Sequence, residues 1–172
     1  MTTQNRVRSM ALIHQTLYQS RDFAEVDFQA FLESFVPTLI QSYSVHPAQI
    51  CLVFHVAEVR LPIDAAIPCG LIVNELISNA LKHAFPDGRQ GTITVAFARH
   101  ADRCATLSVT DDGVGLPESF SLDGSGTLGV QLVSMLAGQL GGVATVERSP
   151  VTRFLVSFPL ASHGSSLRAN PR

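Results

Sequence analysis

The chain has 172 residues, 46% of them apolar and 15% charged, with a formal charge of −2. A chain of that length is most simply one domain able to bury a core, and that composition argues against disorder. The charge supplies no basic field for nucleic acid, and with no Lys/Arg run there is no basis for direct membrane contact.

Arg6 to about Ser20 is predicted to be helical, because Val7, Met10, Ala11, Ile13, His14 and Leu17 recur near helical spacing. A break at Ser20-Arg21-Asp22 precedes a second predicted helix, about Asp27 to Ser42. It carries Phe28, Phe31, Leu32, Phe35 and Leu39, and Pro37 should kink it or mark an end. Ile50 to Val56 alternates like a strand. Asp64 is expected to N-cap a long helix, with Pro68 tolerated in its first turn. At about 100° per residue, Glu75, Asn79, Lys82 and His83 of that helix share one narrow stripe, with Leu76, Ile77, Ala80, Leu81 and Ala84 mostly opposite. A carboxylate, an amide, an amine and an imidazole on one face suit chemistry, yet any solvated helix face shows the same placement.

After the Pro86-Asp87-Gly88 turn come two predicted strands, about Thr92 to Arg99 and Ala105 to Thr110, joined by a polar hairpin around Ala101-Asp102-Arg103. The second runs into Asp111-Asp112-Gly113-Val114-Gly115. Alone, a carboxylate followed by Gly-x-Gly is equally an ordinary turn. A glycine-bearing loop, Gly124-Ser125-Gly126-Thr127-Leu128-Gly129, enters a helix from about Leu128 to Leu140, which Gly141-Gly142 stops. Strands Val143 to Glu147 and Arg153 to Phe158 complete a sheet, and Ala161 to Arg172 reads as a loose tail. This order predicts an α+β fold: a two-layer α/β sandwich with helices on one face of a mixed, mostly antiparallel sheet, plus an N-terminal helix.

Cys51, Cys69 and Cys104 are odd in number, widely spaced and set in apolar surroundings, which reads as buried thiols in a reducing cytoplasm. His46, His55, His100 and His163 are scattered and have no metal-ligand spacing. No apolar run approaches the roughly 20 residues of a membrane span, and the polar start, Met1 to Ser9, is no signal peptide. The chain is therefore expected to be cytoplasmic, with any membrane tether outside it.

As a set, Asn74-Glu75-Leu76-Ile77-Ser78-Asn79-Ala80-Leu81-Lys82-His83-Ala84-Phe85, Asp111 to Gly115 and Gly124 to Gly129 resemble the N box and two glycine boxes of the Bergerat ATP-binding fold. DNA gyrase, Hsp90-type chaperones, histidine kinases and mismatch-repair ATPases share that fold. The similarity is closest to histidine kinases. Leu12-Ile13-His14-Gln15-Thr16-Leu17-Tyr18, the Pro68-to-Phe85 block and Leu128-Gly129-Val130-Gln131-Leu132-Val133 resemble bacterial sensor kinases with the alternative dimerisation domain, and the likeness runs from about Arg6 to Leu160. The neighbouring subfamily named for its His and Trp-x-Glu motifs fits less well, because the chain has no Trp.

The resemblance implies the tail of a dimerisation helix at 1–21, an ATP-binding catalytic domain at 22–160 and a flexible tail at 161–172. It implies ATP and Mg²⁺ as cofactors. Asn79 would give its side-chain oxygen to Mg²⁺, Glu75 would order a metal-bound water or act as a base, and Lys82 would meet phosphate. His83 would lie along the nucleotide. Asp111 would accept from the adenine amino group, with Gly113 and Gly115 allowing close approach and unusual φ angles. Its neighbour Asp112 stands where many relatives carry Asn, an extra negative charge near the nucleotide. Gly126, Thr127, Leu128 and Gly129, with the following helix N-terminus, would meet the phosphates as the hinge of a short lid, expected to give modest affinity and disorder when empty.

The implied partners are the dimerisation/phosphoacceptor domain of the same kinase and a response regulator receiver domain, with a homodimer in the full-length kinase. The family's acceptor His belongs to a His-Arg-x-x-Asn-like context that this sequence lacks. His14 is read as a packing or capping residue, and the isolated chain is expected not to phosphorylate itself. Two alternatives share the fold. Intact Asn79, Asp111, Gly113 and Gly115 argue against a stand-alone interaction module with a degenerate ATP site, and the Arg6-to-Tyr18 helix argues against an anti-sigma-type serine kinase.

Overall fold

Period-two alternation in the central strands decides which face of the sheet is covered. In the computed structural model, which describes residues 11, 13, 15, 25–43, 49–101, 103–122 and 127–160, the elements follow in the order β1 (Glu25–Asp27), α1 (Phe28–Ser42), β2 (Ile50–Val56), β3 (Arg60–Pro62), α2 (Ile63–His83), β4 (Gly91–Arg99), β5 (Cys104–Asp111), α3 (Leu128–Gln139), β6 (Val143–Glu147) and β7 (Thr152–Pro159). A 3-10 turn, Pro86–Gly88, lies between α2 and β4. The main sheet runs β2-β4-β5-β7-β6, parallel between β2 and β4 and antiparallel elsewhere. Its covered face carries Ile93, Val95 and Phe97 from β4, Ala105, Leu107 and Val109 from β5, and Phe154, Val156 and Phe158 from β7, all buried.

Aromatic contacts tie α1 to that face. Phe28 meets Phe97 edge-on at 5.4 Å between centroids, and Phe97 meets Phe158 at 6.2 Å. Asp27 caps α1, its Oδ1 accepting from Ala30 N–H at 3.0 Å. The predicted two-layer sandwich is thus the observed one. Of the predicted N-terminal helix, Ala11, Ile13 and Gln15 are described and are helical, with Ile13 buried. The Ser20-Arg21-Asp22 break, His14, His46, His163 and the tail beyond Leu160 lie outside the described residues.

Several local expectations differ. Pro37 does not end α1, which continues to Ser42. Nor does Asp64 cap α2. That helix starts at Ile63 after Pro62, without a side-chain cap, and Asp64 sits in its first turn while Pro68 lies beyond it in the helix interior. Burial on α1 and α2 outweighs the one backbone bond that Pro37 and Pro68 each remove. A two-stranded ribbon, β1 with β3, pairs Val26 with Leu61; such short segments have no legible period. Among the thiols only Cys69 is buried, and burial pushes its pKa up, whereas Cys51 is exposed and Cys104 half-buried.

Where α3 turns into β6, Gly142 passes so close to β7 that a Cβ there would lie 2.2 Å from the Ser157 carbonyl oxygen. A Cβ on Gly138, one turn earlier, would meet open space. Gly142→Ala should therefore cost about 1–3 kcal/mol by overpacking, whereas Gly138→Ala should add up to about 1 kcal/mol through helix propensity. Urea unfolding midpoints of the two variants, moving in opposite directions, check this.

Candidate functional site

The alternation that buries Leu107 and Val109 also places Asp111, the last residue of β5, on the covered face, where it is 7% exposed. Its register partners are Ile93 on β4 and Thr152 on β7, the latter also buried. The chain then turns at once. Gly113 N–H donates to Asp111 Oδ1 at 3.1 Å, and Val114 N–H donates to the Ala84 carbonyl at the end of α2 at 3.0 Å. A Cβ on Gly113 would lie 2.3 Å from Ala84 Cβ, so the close approach of helix and turn requires glycine there. Gly115 has φ +82 with open space around it, so its requirement is conformational.

Between α2, the end of β5, the loop after it, the start of α3 and β7 lies a cavity of about 540 Å³, a size typical of small-molecule sites. Leu76, Ala80, Phe120, Val130 and Phe154 make much of its wall, and Asn79, His83, Asp111, Thr127 and Thr152 give it polar points. An apolar enclosure with a few convergent polar groups suits a flat, partly polar ring. At the start of α3 the first turn has no side-chain cap, and Thr127 and Val130 line the cavity, so the N-terminal end of this helix stands at its edge. Among the described residues, no three His, Cys, Asp or Glu side chains gather to hold a metal.

Burial in this apolar end pushes the Asp111 pKa upward; the Gly113 N–H partly opposes that, and the neighbouring Asp112 charge adds a smaller upward push. The Asp112 carboxylate itself is turned to the start of β4. Its Oδ1 accepts from Thr92 N–H at 2.7 Å, and its carbonyl accepts from Arg89 Nη2 at 2.9 Å. The additional charge thus organises the start of β4 and stands outside the cavity lining.

The structure divides the predicted helical stripe. Asn79 and His83 line the cavity, but Glu75 and Lys82 do not. Glu75 is 2% exposed, with Asn74 Nδ2 at 3.4 Å from its Oε1. Lys82 Nζ stands 5.8 Å from the centroid of the Tyr43 ring, whose hydroxyl pairs with Ser78 Oγ at 2.7 Å. Of the glycine-box residues, Gly115 and Thr127 line the cavity; Gly113, Leu128 and Gly129 are not part of its lining, and Gly126 falls outside the described residues. Thr152, Phe120 and Phe154 went unread in the sequence. Continuing the alternation of β7 back past Arg153 would have put Thr152 on the covered face, but only the β5–β7 register sets it opposite Asp111.

The family described as histidine kinase-, DNA gyrase B- and HSP90-like ATPases matches residues 65–162, and a histidine kinase family matches residues 1–43. The chain belongs to this ATPase family and is the catalytic-domain type found in sensor histidine kinases. It is 35% identical over 162 residues to the sensor histidine kinase PdtaS of Mycobacterium tuberculosis (strain ATCC 25618 / H37Rv), an alignment covering 86% of this chain and 32% of PdtaS. It thus spans about a third of that relative's length. To the blue-light-activated histidine kinase 2 of Erythrobacter litoralis (strain HTCC2594) it is 34% identical over 90 residues, covering 52% of this chain and 26% of the relative. The histidine kinase domain of the Erythrobacter litoralis EL346 blue-light activated kinase superposes with a TM-score of 0.77 at 26% identity, covering 91% of this chain and 74% of that domain. At 15% identity, the Acinetobacter baumannii kinase AdeS shares the fold with a TM-score of 0.64, covering 91% of this chain and 76% of AdeS.

A folded-state Asp pKa raised above its unfolded value means that the folded chain holds the proton more tightly, so stability falls as pH rises through that window. Asp111→Asn should therefore raise the melting temperature at neutral pH. The gain should shrink as pH falls through the folded Asp111 pKa and vanish below roughly 4, the ordinary Asp range. Melting scans of both proteins across this range check the sign.

Proposed function

We propose that this chain is the ATP-binding catalytic part of a sensor histidine kinase, which transfers the γ-phosphate of ATP to a histidine on a dimerisation domain for relay to a receiver domain. The observation that carries the reading is the buried Asp111 carboxylate facing an apolar cavity, with Asn79 on one wall and an uncapped helix start at the edge. A carboxylate there accepts a hydrogen bond from the exocyclic amine of adenine; guanine offers a carbonyl at the same position and is rejected. Thr152, opposite Asp111, supplies a second polar contact to the same ring. The uncapped start of α3 suits phosphate, as does any helix N-terminus with free N–H groups.

The residues also fit Mg²⁺. Asn79 offers one hard oxygen on the cavity wall, and this ion keeps several waters and takes few protein ligands. When bound, the ion would offset charge on the triphosphate; Asn79 would hold it, and His83 would flank the nucleotide. Glu75 and Lys82 follow the adjoining stripe of α2. A carboxylate as covered as Glu75 meets an acceptor histidine only when its cover moves, so we assign it the base role in a state in which the acceptor domain has docked. Lys82, exposed beside Tyr43, is the cation that a phosphate or an acidic partner surface would meet first. Among the described residues, no helix is long and apolar enough to cross a membrane.

Calorimetry should show ATP and ADP bound in preference to GTP, and Asp111→Ala should remove most of that preference. A buried hydrogen bond of about 1–3 kcal/mol corresponds to roughly a ten- to hundredfold ratio. Equal GTP and ATP affinity in the unmodified chain would overturn the adenine assignment.

Asn79 and Glu75 of the N box should separate by assay. Asn79→Ala should abolish the Mg²⁺-dependence of ATP binding, whereas Glu75→Gln should bind nearly normally and slow transfer to a supplied acceptor domain by about 10²-fold or more. Transfer by Glu75→Gln at the unmodified rate would make Glu75 a structural carboxylate.

A further inference from the structure

One wall of the cavity belongs to the loop that follows the Gly113 turn, which contributes Leu116, Pro117 and Phe120. This loop has left the sheet ladder, and Phe120 N–H closes a single turn within it on the Pro117 carbonyl at 3.0 Å. It is held from elsewhere. Arg148, in the connection between β6 and β7, donates from Nη1 to the Glu118 carbonyl at 3.3 Å and from Nη2 to the Phe120 carbonyl. Its guanidinium carbon also lies 5.9 Å from the Phe120 ring centroid. Phe120 in turn stands edge-on to Phe154 at 5.9 Å, and Phe154 lies two residues beyond Thr152 on the same covered face of β7.

We infer that Arg148 is a positioning residue for nucleotide binding: its forked hold on the Glu118 and Phe120 carbonyls keeps Phe120 standing as the cavity wall. The inference rests on the nucleotide reading above. Arg148 is exposed and outside the cavity lining, so it acts through Phe120 and not by touching the nucleotide. A planar guanidinium serves two carbonyls and a ring face together in one fixed geometry; an ammonium, a compact point charge without the fork, holds them less firmly. With the fork removed, the loop loses its fastening to the sheet and the wall must be ordered at the moment of binding, which weakens affinity. The groups assigned to the transfer step sit on α2, so turnover at saturating ATP should be spared.

The test measures ADP binding by calorimetry and the ATP dependence of transfer to a supplied acceptor domain, for the unmodified chain, Arg148→Ala, Arg148→Lys and Asp111→Ala. Arg148→Ala should bind ADP about 5- to 20-fold more weakly, Arg148→Lys should recover part of the loss, and the loss should appear in KM with kcat within about twofold. Unchanged ADP affinity in Arg148→Ala, equal behaviour of the Lys and Ala variants, or a loss confined to kcat would each overturn the inference. If Arg148→Ala does not fold, Arg148→Lys and Arg148→Gln, graded against the unmodified chain, decide it by the same criterion. An unmodified chain that fails to bind ADP overturns the nucleotide reading. Loss of binding in Asp111→Ala with none in the Arg148 variants overturns only the positioning role.

Discussion

The site depends on one junction, where the end of α2 meets the turn after β5. The Ala84 carbonyl has run out of helix partners, as the last carbonyls of any helix do, and Val114 N–H supplies one. For the two backbones to come that near, nothing larger than hydrogen can stand on Gly113. This contact sets Asn79 and His83 against the same cavity as Asp111 and Thr152, residues that belong to different elements and to distant parts of the chain. A side chain at position 113 would push helix and sheet apart, and the cavity would lose its common walls.

A buried carboxylate is an unfavourable thing to keep in an apolar layer. Asp111 occupies a position that by alternation should hold a Leu or Val, and the Gly113 N–H eases its burial. Asp112 shows the other arrangement. Its carboxylate is exposed, satisfies the Thr92 N–H and organises the start of a strand. Two adjacent residues of one type thus serve different ends: one costs stability and faces the cavity, the other supports the sheet. A group held at such a cost in a cavity wall is what a binding function retains.

The two walls of the cavity are held with unequal firmness. α2 and the strands are fixed by ladder hydrogen bonds and core packing, whereas the loop from Leu116 to Phe120 depends on a few side-chain contacts, above all those to Arg148 and Phe154. Chemistry assigned to the firm wall and enclosure to the looser one is a workable division. The reacting groups stay pre-organised while the enclosing side can yield to admit a ligand. Glu75 departs from that scheme, since it lies on the firm helix yet is covered, and its exposure would have to follow the docking of an acceptor.

The sequence by itself determined the longer elements and indicated the motifs. Alternation over Thr92–Arg99 and Ala105–Thr110 set the sheet's covered face, Gly141-Gly142 stopped the last helix, and the three boxes indicated the ATPase family. It could not determine which way each side of the helical stripe faces. Glu75, Asn79, Lys82 and His83 are neighbours by rotation, but whether each meets solvent, cavity or Tyr43 depends on what packs beside α2. The start of α2, the place of Pro68 and an end at Pro37 were misjudged for a related reason: local rules rank Asp64 as a cap and Pro37 as a kink or stop, while burial of the surrounding Phe, Leu and Val side chains carries each helix through regardless. Thr152, Phe120, Phe154 and Arg148 bear no motif at all. Tertiary structure alone decided their part, because strand register and loop closure bring together residues whose separation along the chain leaves no periodic trace.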